Sequence, residues 1–371
     1  MANTTYDTDV FIAGGGPAGL VAAIAARRRG LNVIVADRAT PSIDKACGEG
    51  LMPDALSALA SLDVHLPLER GHLFHGIRFL GNASSVEARF PAGVGVGIRR
   101  TILHASLVAA AEEAGVTLLW QTPVVSIDGD TVTLPGHVLR ARFIVGADGE
   151  NSSIRRWSGL DTYKSDDRRY GFRRHYRLKP WTDVVEVHWA EGCQLYITPV
   201  AADQVCVALI SRAQDFRLEE ALGRFPEVAA RLRGAQTASP ERGALSASRR
   251  LQRVTAGPVA LIGDASGSVD AVTGEGMCLA FRQAVALAAA LEVGDLSRYQ
   301  AEYDGIRRGP AMMADLLLLL DRRSSIRRRV FSAFSARPEV FSQMLALHVG
   351  DPSYRVLAST LLYLGWGMIS A

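Results

Sequence analysis

The chain has 371 residues, 48% hydrophobic and 21% charged, enough for two packed domains with a sizeable core. A net charge of +3, carried mostly by scattered arginines, is too mild to argue for nucleic acid as a partner. Four cysteines, Cys47, Cys193, Cys206 and Cys278, stand far apart with no C-x-x-C pair, which argues against a disulfide framework and a metal site and fits a reducing, cytoplasmic setting.

The opening residues lack the basic and apolar regions of a secretory leader, so no signal peptide is expected. Residues 9–38 read as strand, glycine turn, helix and strand. Val10, Phe11 and Ile12 form a short apolar run that breaks at Gly14, Gly15 and Gly16. Gly14, Gly16 and Gly19 keep the G-x-G-x-x-G spacing, in which the first glycine permits a tight turn, the second lets backbone approach a pyrophosphate and the third allows close helix-to-strand packing. Small residues over 18–26 predict the helix, whose N-terminal N–H groups suit an anion. Residues 33–36 predict a second strand ending at Asp37, a carboxylate placed to accept from ribose hydroxyls. An ADP moiety is expected there.

After Arg38 a loop carries Cys47, Gly48, Glu49 and Gly50, ahead of a helix from about Pro53. The glycines on either side of Glu49 let the backbone approach a flat group, and Cys47 reads either as a small buried hydrophobe or as a group beside a cofactor. Residues 76–80 and 86–90 alternate like paired strands, and 101–114 read as a helix closed by Gly115. Arg100, at the mouth of that helix, either pairs with phosphate oxygens or stands solvated. Short strands are predicted at 116–120, 124–127, 131–134 and 137–143, the last delivering Asp148 and Gly149 to a turn followed by Ser152 and Arg155 on a helix start.

Residues 168–211 predict four strands of one antiparallel sheet with one face buried. Phe172, Arg174 and Tyr176 share a face that is either an aromatic wall toward a ligand or core. Arg173, His175 and Arg177 share the other, where His175 has the plain reading of a strand histidine open to water. A helix over 218–232, interrupted at Arg224, precedes a loop rich in Ser, Ala and Arg that runs to Arg253. A buried strand at 258–262 then ends at Gly263 and Asp264, and Gly274, Gly276 and Met277 open a long apolar helix whose N-terminus suits negative charge on a ligand ring. The remainder reads as helical, with Pro310 as a first-turn residue, an apolar run at 312–320, and Arg322, Arg323, Arg327, Arg328 and Arg329 crowded together. That pair of segments is either a lid over a greasy substrate or membrane surface, or a packing helix with a solvated basic end. The apolar runs at 316–320 and 356–371 fall short of the ~20 residues a spanning helix needs, which leaves peripheral membrane contact open.

Together, GGGPAG with Asp37, ADGENSSIR and IGDASGSVDAVTGEG resemble the three cofactor segments of the FAD-dependent monooxygenase and geranylgeranyl reductase superfamily. The resemblance implies an α/β fold: a glutathione-reductase-type, Rossmann-like FAD domain assembled from 1–71, 97–165 and 250–306, an inserted antiparallel-sheet substrate domain from 72–96 and 166–249, and a C-terminal helical segment, 307–371. It implies that Gly14, Gly16, Ala18 and Gly19 bind the FAD pyrophosphate and that Asp37, with Arg38 beside it, takes the adenosine ribose. Arg100 then meets the flavin diphosphate, Val125 adenine, Asp148 the second cofactor turn and Asp264 the ribityl chain, while Gly274, Gly276 and Met277 lie at the isoalloxazine. Cys47, Gly48 and Gly50 resemble the Pro-Cys-Gly-Gly loop of the reductase branch, although Ala46, Glu49 and Ala271 depart from that pattern. The strand from Leu195 to Pro199 lacks the tryptophan and phenylalanine of the reductases' aromatic motif.

Three functions follow from the resemblance. The first is a monooxygenase that hydroxylates an aromatic or lipophilic small molecule through a flavin C4a-hydroperoxide, with Cys47 and Glu49 near the reacting ring and Phe172, His175 and Tyr196 as substrate contacts. The second is an ene-reductase of isoprenoid chains, with a proton supplied near Cys47. The third is a lipid-binding escort without turnover. A second nucleotide-binding glycine motif is missing, so NADPH is expected to dock transiently over the FAD, with an external reductant as the competitor. Oligomeric state stays open.

Overall fold

The computed structural model describes residues 5–81 and 84–349. The apolar run near the start forms the strand Thr8–Ala13 at the centre of a sheet ordered Thr255–Ala256, Val259–Leu261, His137–Gly146, Thr8–Ala13, Val33–Ala36 and Thr117–Leu119. Neighbours from Val259–Leu261 to Thr117–Leu119 run parallel. Their registers align Ala13 with Gly146 and Ala36, and Gly146 with Leu261. Three chain segments therefore leave the sheet side by side at its carboxyl edge, where ligands bind in open α/β sheets.

Helices α1 (Pro17–Arg27), α2 (Pro53–Ser61), α3 (Arg100–Glu113) and α4 (Ser153–Trp157) follow the strands and turns of this half. Alanine, leucine and isoleucine make α1 buried along most of its length, which only a helix enclosed on several sides tolerates. A three-stranded sheet, Gly50–Leu51, Gly95–Gly97 and His72–Phe74, pins the Cys47–Gly50 loop next to the mouth of α3.

The second large sheet is ordered Gln236–Thr237, Tyr163–Arg177, Gln204–Ser211, Cys193–Ala201, Val185–Ala190, Gly76–Gly81 and Ser84–Arg89. One face packs Phe172, Tyr176, Leu195 and Ile197 under α5 (Leu218–Leu222) and α6 (Pro226–Leu232). The expected loop before Arg253 is instead the strand Arg242–Leu251, paired along Tyr163–Arg177. Its glycine, alanines and serines carry little strand preference of their own, and the long partner strand supplies the pairing.

The chain closes with α7 (Gly276–Val293), α8 (Leu296–Arg322), α9 (Ser324–Ala336) and α10 (Pro338–His348). Among the described helices, α7 alone is long and apolar enough to cross a membrane, and here it packs against α1 and α8. Pro310 is not a first-turn residue but lies inside α8, between Gly309 and Ala311. The proline costs one intrahelical hydrogen bond, and packing of α8 on α7 offsets it. The sequence from 350 onward, including the apolar run at 356–371, lies outside the described residues. Between the sheet and the last helices lies an aromatic layer in which Phe79 stacks on Phe331 and tilts against Phe341, and Trp189 meets both Phe79 and Phe331 edge-on.

A buried ionic network ties these parts together. Arg169 donates to Asp321 at 2.8 Å and pairs with Asp270 at 3.0 Å. Gln194 donates to the other Asp321 oxygen at 2.5 Å, and Arg212 pairs with Asp321 as well. Burial pushes the Asp321 carboxyl up, but Arg169 and Arg212 outweigh it and hold it below the usual carboxylate range. The network joins the second sheet, the third glycine segment and the end of α8. Asp321→Asn removes one of the two carboxylates that hold the buried Arg169 and the carboxylate paired with Arg212, and the expected loss is about 2 kcal/mol of stability, read as a lowered urea midpoint with an unchanged m-value.

Candidate active site

The three turns meet at the N-terminus of α1. A Cβ on Gly14, whose φ is +115, would strike the Ala147 carbonyl, one on Gly19 the Gly14 carbonyl, and one on Gly263 the Ala18 side chain. Arg155, from the second turn, donates to the Ala265 carbonyl of the third at 3.0 Å. From α3, His104 Nε2 lies 2.9 Å from the Gly15 carbonyl, which as an acceptor fixes that nitrogen as the donor. Backbone thus lies against backbone at Gly14 and Gly19, and against the Ala18 methyl at Gly263, where a larger side chain would hold the chain apart.

Around this junction runs a groove. Gly16 is the N-cap of α1 and no side chain caps that helix; a Cβ at Gly16, Gly48, Gly149 or Gly276 would meet only open space. Asp37 accepts from the Gly15 N–H at 2.7 Å and from Ala39 N–H at 2.8 Å, and lone pairs remain on both oxygens. Arg38 is exposed beside it. Arg100 leans on Met277, with its guanidinium 4.0 Å from the sulfur, and its buried Nε has no partner. Lys45 spans to Asp264 at 2.9 Å. The Asp264 charge raises the Lys45 ammonium, and Lys45 in turn holds Asp264 below the usual range. An uncapped helix start, an unsatisfied arginine and glycine-floored space fit a diphosphate-linked flat cofactor; FAD would be held by Gly16, Arg100, Asp37, Asp264 and the Gly274–Gly276 backbone.

Other expected positions fall elsewhere. Val125 is exposed and its N–H is spent on the Thr133 carbonyl at 2.9 Å, so it cannot offer adenine the donor of a backbone pair. Asp148 accepts from Ser153 and Ile154 N–H at 2.7 and 3.2 Å, which caps α4 from an exposed position. Phe172 is not a ligand wall: it lies in the core under α5 and α6, with the Arg217 guanidinium over its ring at 4.4 Å. Tyr196 lies on the opposite face, and its hydroxyl donates to the Val272 carbonyl at 2.7 Å.

His175, far from open to water, is fully buried and 2.5 Å from Glu49, itself 1% exposed. Arg173 reaches His175 Nδ1 at 3.2 Å, and because a guanidinium only donates, Nδ1 must accept and Nε2–H donates to Glu49. Ser239 also meets Nδ1, at 2.7 Å. Burial lowers the His175 pKa against the raising effect of Glu49. The second Glu49 oxygen takes the Arg100 N–H at 2.9 Å, and the Glu49 N–H points at Cys47 Sγ at 3.3 Å. Glu49, His175 and Cys206 place three ligand-type atoms within 4.8 Å of one another. Arg173, 3.8 Å from Glu49 and paired with Asp44, already supplies the positive charge there, and burial raises the Cys206 thiol well up, so the cluster is a hydrogen-bonded brace.

Sequence reasoning passed over several groups. Lys45 sits two residues before Cys47. Glu150, at 8% exposure and paired with Arg249 at 2.6 Å, is pushed up to about 7 by burial and then by the Asp264 charge. Glu275 and His348 form a second buried couple, with Oε2 and Nδ1 3.4 Å apart. His348 Nε2 is 3.1 Å from the Thr273 carbonyl, so it carries the ring proton and Nδ1 is an acceptor. Burial and then Asp54 raise Glu275 well above its ordinary 4.5, while burial lowers His348 to about 4. Burial thus favours a protonated Glu275 and a neutral imidazole, and Oε2 and Nδ1 face each other without a hydrogen bond. A repeated Gly-Glu-Gly, at 48–50 and 274–276, was the available signal: in each the glutamate is buried and met by a histidine from another element.

The chain matches the family model described as "FAD binding domain" over residues 7–294. It is 26% identical over 346 residues to a menaquinone reductase of Mycolicibacterium smegmatis, covering 84% of each chain. It is 25% identical over 301 residues to digeranylgeranylglycerophospholipid reductase 1 of Methanococcoides burtonii, covering 72% of this chain and 70% of that one. The solved geranylgeranyl bacteriochlorophyll reductase-like protein of Thermoplasma acidophilum superposes with a TM-score of 0.77 at 19% identity, over 96% of this chain and 99% of that one, and shares the fold.

The Glu275–His348 couple has a pH signature. Glu275, raised by burial, makes stability fall as pH rises above 4.5 and through its folded pKa, whereas His348, lowered to about 4, makes stability rise between about 4 and 6.5, so the two slopes oppose each other. Urea unfolding across pH checks this: Glu275→Gln is expected to remove the falling component and leave stability rising between about 4 and 6.5.

Proposed function

The chain belongs to the FAD binding domain family, as an FAD-dependent oxidoreductase of the monooxygenase and geranylgeranyl reductase superfamily, and from that premise we propose that it adds hydrogen across a carbon–carbon double bond of a prenylated lipid. This takes the second reading of the sequence over the first. The observation that carries it is that sequence relatives matched over 84% and 72% of the chain are, by name, reductases of menaquinone and of a digeranylgeranyl phospholipid.

Reduced FAD, when bound, supplies the hydride. The residues of this chain do the rest. Gly16 and α1 receive the diphosphate with Arg100, Asp37 takes the ribose, and Asp264 and Lys45 flank the ribityl chain. Cys47, half-buried beside the exposed Gly48, delivers a proton from Sγ to the second alkene carbon, and the Glu49 N–H fixes the position of that sulfur. The Glu49–His175 brace holds the loop against the second sheet. NADPH is the reductant this reading assigns, docking transiently over the flavin. A lipid substrate and the exposed Arg322, Arg323 and Arg328 support peripheral contact with a membrane.

Anaerobic mixing of the reduced holoprotein with a geranylgeranyl lipid tests the proposal. The expected result is flavin reoxidation and a product heavier by two hydrogens, slowed about 100-fold or more in Cys47→Ala. Reoxidation only by oxygen, with a product carrying one added oxygen atom, would instead favour the monooxygenase.

A further inference from the structure

Glu275 is the N-cap residue of α7, yet its side chain makes no capping hydrogen bond to that helix. An acid in this position ordinarily turns back on the first N–H groups, which satisfies them and compensates the positive end of the helix dipole. Here the carboxyl is 2% exposed and points to His348 of α10. The same imidazole binds the Thr273 carbonyl, so one side chain from the last described helix grips both residues flanking Gly274, which sits in the left-handed region at φ +70. The flanking Gly274 and Gly276 are exposed to the groove, while the glutamate between them is not. The groups facing Glu275 are Asp54 on α2, Arg282 and Cys278 on α7, and His348 on α10.

We propose that His348 and Glu275 are positioning residues of the flavin site: the imidazole holds the Glu275 carboxyl away from the start of α7, so that the free N–H groups of that helix serve the negative charge a reduced flavin carries on its pyrimidine ring. The proposal rests on the FAD reading and adds a task for α10. An ionised Glu275 turned back onto α7 would occupy those N–H groups and repel the same charge. Burial and Asp54 favour the protonated Glu275 carboxyl and burial favours the neutral imidazole, which agrees with this arrangement. The C-terminal helices thereby reach the flavin electrostatically without touching it.

The midpoint potential of the bound flavin, measured by dye equilibration, is the test. In His348→Ala the Glu275 carboxyl is released to turn back onto the first N–H groups of α7, and reduced flavin is expected to bind about tenfold more weakly relative to oxidised flavin, a fall of about 30 mV for a two-electron couple. The double variant His348→Ala/Glu275→Gln returns to the wild-type potential, and His348→Gln, which can still donate to Thr273 and accept from Glu275, stays near it. The apoprotein gives a second readout: an infrared band of a buried protonated carboxyl, lost in Glu275→Gln and shifted in frequency in His348→Ala as the carboxyl changes its partners. An unshifted potential in His348→Ala, a shift that persists in the double variant, or absence of that band overturns the inference. A protein that shows the band but binds no FAD fails the functional reading, and with it the assignment of α7 to a flavin.

Discussion

Close approach of backbone to backbone is the constraint on which the rest of this molecule depends. Gly14 lies against Ala147, Gly19 against the Gly14 carbonyl, and Gly263 against Ala18, each at a separation that a Cβ would violate. These contacts draw three segments, far apart in sequence, into one carboxyl-edge junction and leave the first turn of α1 facing open space. The groove is thus what remains when side chains are removed where the segments cross.

Charge is arranged around that groove in two ways. Groups that line it are partly open, and some are incompletely paired: Arg100 keeps an unsatisfied Nε, and Lys45 and Asp264 pair with each other. Groups behind it are buried and braced, as in Glu49 with His175, Glu275 with His348, and Arg169 with Asp270 and Asp321. The braces link the groove to the second sheet and the C-terminal helices, so loops made of glycine acquire rigidity from contacts made by their neighbours. A buried ion pair is weak evidence for stability, but breaking one is costly, which makes these braces sensitive points for the geometry in front of them.

The parallel sheet and its turns were legible because each is local: an apolar run, a glycine spacing, a helix of small residues, an acid at the end. The resemblance of those segments to a flavoprotein superfamily extended that reading to the fold and the cofactor. What escaped was set by partners distant in sequence. The strand Arg242–Leu251 has the composition of a loop and exists through its pairing with Tyr163–Arg177. The choice between the two faces of that partner strand, Phe172 inward to α5 and α6 and His175 toward Glu49, could not be made from alternation, which marks two faces without saying what covers each. His348 gave no local sign of its place beside Glu275, and the backbone partners of Asp148 and Val125 are ones that only the fold supplies.

Gly16 offers the most direct test that the converging turns hold one FAD. Its backbone, at φ −73 and ψ 175, suits any residue, and a Cβ there meets nothing in the protein. Gly16→Glu should therefore fold as the wild type does while filling the diphosphate position with a side chain of the wrong charge. Calorimetric titration with FAD is expected to give one site per chain for the wild type and no detectable binding for the variant at unchanged thermal stability. Equal binding by both proteins, or none by the wild type, would contradict the account.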